Sequence, residues 1–80
     1  MKLCEVRCGI EVRIESVDVD ETEKKWLAAI GIDAGICVVV LRQAPFRGPL
    51  HVVINKQSEF AICESVSQCI SVTEVKRLDE

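Results

Sequence analysis

The sequence is 80 residues long and 49% apolar, with 10 Lys and Arg against 13 Asp and Glu, for a net charge of −3. That length makes one small domain with a thin core and no cleft between lobes. The apolar fraction excludes a disordered chain, and an acidic balance with scattered basic residues argues against a nucleic acid held through its phosphates.

The first strong segment opens at Gly9. Ile10, Val12 and Ile14 alternate with Glu11, Arg13 and Glu15, a period of two that predicts a strand with one wet face. Val17 and Val19 continue it after an odd step, so one extra residue near Glu15-Ser16, a β-bulge, is expected. Asp20 or Thr22 then caps a helix whose first turn carries Glu21 and Glu23, where the dipole favours negative charge. Trp26, Leu27 and Ile30 form its apolar stripe. Gly31 ends the helix near Ile30 and Gly35 makes the turn that follows. Trp26, the only Trp, is expected to lie flat over the open side of a small barrel, or to anchor a partner.

The next strand, Ile36 to about Gln43, is dry on both faces. Val38 and Val40 make one face; Cys37, Val39 and Leu41 make the other. Ala44 to Pro49 is a turn. Leu50, Val52 and Ile54 give the next strand an inner face, with His51 and Val53 outward. Asn55 to Ser58 closes a hairpin, Phe60 and Ile62 point inward again, and Glu64 to Cys69 is a turn with room for one helical turn. Ile70 and Val72 form the last strand. The reading is a single domain over 1–80, with its core at about 3–74 and a polar tail at 75–80 that frays. Mainly β with one short helix and about five strands, one bulged, it predicts a half-open β-barrel of the SH3-like or OB type.

No stretch reaches the ~20 apolar residues of a membrane span. Glu5 and Arg7 break the N-terminal segment where a signal peptide would be apolar. A cytoplasmic protein without direct membrane insertion is the expectation. Cys4, Cys8, Cys37, Cys63 and Cys69 are an odd set, spaced C-x3-C and C-x5-C rather than as a C-x2-C zinc knuckle, and read as free thiols of a reducing compartment. A metal site built on His51 with Cys37, Cys63 or Cys69, or on Glu21 and Glu23, is the alternative, and no spacing singles it out. With one His, no Tyr and no Gly-rich phosphate loop, the chain offers no catalytic pair, so a binding module is expected rather than an enzyme.

The surplus apolar face points to a contact. If the second and third strands pair, Cys37, Val39, Leu41, His51 and Val53 form one patch outside the barrel. Its expected occupants are a protein partner, a second copy of the chain, or the domain's own segment from Leu3 to Val6.

In order, the pieces Leu27-Ala-Ala-Ile30-Gly31-Ile32, Gly35, Ala44-Pro45, Gly48-Pro49-Leu50, Phe60-Ala61-Ile62, Ile70 and Val72 resemble the FeoA family of small ferrous-iron-transport proteins over roughly residues 3–74. The resemblance implies an SH3-like barrel and a cytosolic accessory that binds and modulates FeoB, a membrane permease with a GTPase domain. It also implies kinship with the C-terminal module of iron-dependent repressors. The second functional reading is therefore a module that senses a transition metal, iron or zinc, weakly bound.

Overall fold

The computed structural model describes residues 1–75, so the expected fraying of 76–80 lies outside the described residues. Five strands, β1 (Glu11–Val17), β2 (Cys37–Gln43), β3 (Leu50–Ile54), β4 (Ser58–Ile62) and β5 (Ile70–Glu74), are joined by α1 (Glu21–Ala29) and the one-turn α2 (Glu64–Ser67). They form a single antiparallel sheet in the order β4-β3-β2-β1-β5. The sheet curls without closing, which is the half-open barrel expected.

The alternation in the sequence determines the core. Val12, Ile14, Val38, Val40, Leu50, Val52, Ile54, Ile62, Ile70 and Val72 line the inner face and are all buried. The expected β1 bulge is present, at the register shift between Ile14 and Ser16, and it returns Val17 to the buried side. Ile10 is a correction: the strand starts at Glu11, and Ile10 precedes it with 36% of its surface exposed. Gly9 donates its N–H to Val40 O at 2.8 Å, so the segment already meets β2 just before β1 begins.

α1 begins at Asp20, whose Oδ1 accepts the Glu23 N–H at 2.8 Å. It ends in a Schellman arrangement. The Ile32 N–H reaches Leu27 O at 2.8 Å, and the Gly31 N–H reaches Ala28 O at 3.0 Å. Gly31 sits at φ 102° and Ile32 is buried with Leu27, the apolar contact that accompanies this stop. A Cβ at Gly31 would stand 3.1 Å from Ile54 Cγ2. Gly31→Ala is therefore expected to cost about 1–3 kcal/mol through left-handed backbone and crowding together, read as a lowered midpoint in urea.

The N-terminal segment does not serve the role expected of it. Met1 O accepts the Val72 N–H at 2.8 Å and Lys2 bridges to Ser71, so the first residues extend the β5 edge. A short 3₁₀ turn, Leu3–Glu5, then drops Leu3 into the core. Pairing with β5 places the segment at that edge, so Leu3 is core rather than a cover for the outer face of β2 and β3.

Candidate functional site

The outer face of the sheet carries the patch. Register pairs Glu11 with Val39, Val39 with Val53, and Val53 with Glu59, giving one row across four strands. Val39 and Val53 form its half-buried apolar centre, and acidic side chains stand at both ends. Cys37, also half-buried, pairs with Arg13 beside this row.

A second register shift lies between Val40 and Arg42 on β2. Leu41 is the extra residue, outside the ladder and 37% exposed. Because of it, Arg42 lies opposite His51 rather than turning into the core as unbroken alternation would require. His51 Nε2 also lies 2.8 Å from Glu59 Oε1. The structure thus brings Cys37, Val39, His51 and Val53 onto one surface, with Leu41 at its margin. Arg13, Arg42, Glu11 and Glu59 make a rim of mixed charge around an apolar centre, the anatomy of a protein contact.

Trp26 lies elsewhere. It is 61% exposed on α1, where Leu27 alone of the helix is buried. Phe46, which sequence reasoning passed over inside a turn, is wholly exposed at the tip of the β2–β3 connection. Phe46 and Arg47 both have positive φ, 60° and 57°, a conformation costly for a bulky side chain. The signal was present in the sequence: an aromatic between Pro45 and Arg47, in a turn short enough to point it at solvent.

All five cysteines are free thiols. Among the described residues, no three His, Cys, Asp or Glu side chains come together in a group able to hold a metal ion. The Ser65 hydroxyl, 3.4 Å from Cys63 Sγ, and then the Val66 N–H hold the Cys63 pKa below the ordinary thiol value, against slight burial and the charge of Glu23. Since the thiolate is the nucleophile, Cys63 is expected to react with iodoacetamide at a lower pH than an ordinary thiol requires. Peptide mapping after brief alkylation checks this.

A protein-family model described as the FeoA domain matches residues 1–74. Among solved structures, the FeoA protein of Chlorobium tepidum superposes with a TM-score of 0.87 at 26% identity, over 95% of this chain and 71% of that one. The FeoA of Stenotrophomonas maltophilia, an SH3 domain protein solved with zinc and proposed as a ferrous iron transport activating factor, gives 0.74 at 25% identity, over 91% and 89%. A manganese-dependent transcriptional repressor in complex with manganese gives 0.84 at 24% identity, over 94% of this chain and 36% of that one, a likeness of fold. The fold is therefore SH3-like. No curated protein matches the sequence.

Proposed function

Because the chain belongs to the FeoA domain family, whose members are linked to ferrous iron transport, we propose that it is a cytosolic accessory that binds and modulates a FeoB-type permease through that permease's GTPase domain. The observation that carries this reading is the row Glu11–Val39–Val53–Glu59, an apolar centre between charged ends on a sheet face that the domain's own N-terminal segment leaves free. Phe46 supports it: a bulky residue held in left-handed backbone and fully in water costs stability and returns none to the monomer, and such strain gathers where a surface is used. Among the described residues no helix is long and apolar enough to cross a membrane, which accords with an accessory that meets its transporter from one side.

Co-purification with the GTPase domain tests the proposal. The parent chain is expected to be retained and Val39→Glu, at the centre of the patch, to be lost while remaining folded. Equal retention of both would place the contact on another surface. The alternative is a module that senses iron or zinc, a reading supported by the zinc complex of the Stenotrophomonas maltophilia protein.

A further inference from the structure

One edge of the sheet is already taken, since Met1 and Lys2 lie along β5. The other, β4, pairs only with β3; among the described residues no main-chain hydrogen bond reaches its outer side. Alternate residues of Ser58–Ile62 therefore turn N–H and C=O groups toward solvent, a template for an added strand. Beside the end of this strand runs a groove of about 240 Å³, lined by Glu23, Trp26 and Leu27 of α1, Ala61 and Ile62 of β4, then Cys63, and Val66 of α2. A wider recess of about 380 Å³, lined by Asp20, Thr22, Glu23 and Trp26, shares Glu23 and Trp26 with it. Trp26 belongs to both, and among the described residues the charged ones lining either are Asp20 and Glu23, both acidic.

We infer that the β4 edge and the Trp26 groove together form a second binding surface, for an extended segment of a partner protein in which basic and apolar residues alternate. Each feature constrains the occupant separately. The free edge takes an extended backbone. The groove between Trp26, Leu27 and Val66 takes an apolar side chain. The indole face, with Asp20 and Glu23 beside it, takes a Lys or Arg by cation–π contact and charge. This surface is distinct from the Val39 face and stands whether or not that face meets the permease.

The sole tryptophan reports on its own site. The probe is a synthetic peptide of about six residues, strand length, alternating Lys with Val. A second peptide with Glu for Lys, and a third with the Lys-Val sequence but alternate backbone amides N-methylated, are the controls. The basic peptide is expected to shift Trp26 emission to the blue with saturation and to slow hydrogen exchange at the Ser58–Ile62 amides. The acidic and N-methylated peptides are expected to do neither, and Glu23→Lys to weaken binding by about tenfold or more. The inference is overturned if the basic peptide gives no saturable shift, if either control peptide binds equally well, or if Glu23→Lys has no effect. It is also overturned if the β4 amides become protected with rising concentration of the protein alone, which would make a second copy the occupant.

Discussion

Leu27→Ala is expected to lower the stability of the domain by about 2–5 kcal/mol, the range for removing a fully buried leucine where the surroundings cannot collapse. Leu27 is 1% exposed and is the one buried residue of α1, so it carries the helix's attachment to the sheet. Its carbonyl also accepts the Ile32 N–H that ends the helix, so the cavity would open beside the backbone stop. A domain of this size has about 0.05–0.15 kcal/mol of stability per residue, so this single truncation removes much of it. Trp26→Ala, one position earlier, is the control. That side chain is mostly in water, and its loss is expected to change the urea midpoint by about 0.5 kcal/mol or less. A Leu27→Ala effect as small as the Trp26→Ala effect would refute the packing described for α1.

Val38→Glu and Val39→Glu should divide just as sharply, although the residues are neighbours. Val38 is 2% exposed between Val12 and Ile54, so a carboxylate there has no partner and no water. Leaving a charge in that position costs about 3–5 kcal/mol or more, and the variant is expected to be unfolded or insoluble. Val39 is half-buried on the opposite face, between Glu11 and Val53. There the change is expected to cost about 1 kcal/mol, the span of strand preferences, and to leave a folded chain. Circular dichroism and urea titration of the two variants check this, and equal behaviour would mean the strand's faces are assigned wrongly.

Legibility in the sequence followed the locality of the cause. The inner face of every strand, the Asp20 cap and the Gly31 stop are set by residues within a few positions of one another, and each was readable. The β1 bulge was readable because it breaks the period at Glu15-Ser16. The β2 bulge was not, since Leu41-Arg42-Gln43 continues without a visible step; the clue was that unbroken alternation would have turned Arg42 inward behind Val38 and Val40. The place of Leu3 stays open in the sequence because its burial depends on Met1 and Lys2 pairing with a strand some seventy residues away. The unequal burial of Trp26 and Leu27, neighbours on the helix, is a matter of packing that helical spacing does not reveal. Of the candidate patch, Cys37, Val39, His51 and Val53 followed from alternation alone, whereas the charged rim around them became visible only with the strand register.

The proposal that the outer face of β1 to β4 meets a FeoB-type permease is tested most directly by mapping the contact residue by residue. In a titration of isotope-labelled protein with the permease's GTPase domain, followed by amide NMR, the account predicts saturable shifts centred on Val39 and Val53 and reaching Glu11, Leu41, Arg42, His51 and Glu59. Val39→Glu is expected to abolish them without altering the core resonances of Val12, Val52 and Ile70. Saturable shifts confined to other surfaces, or no shifts at any concentration of the domain, would contradict it.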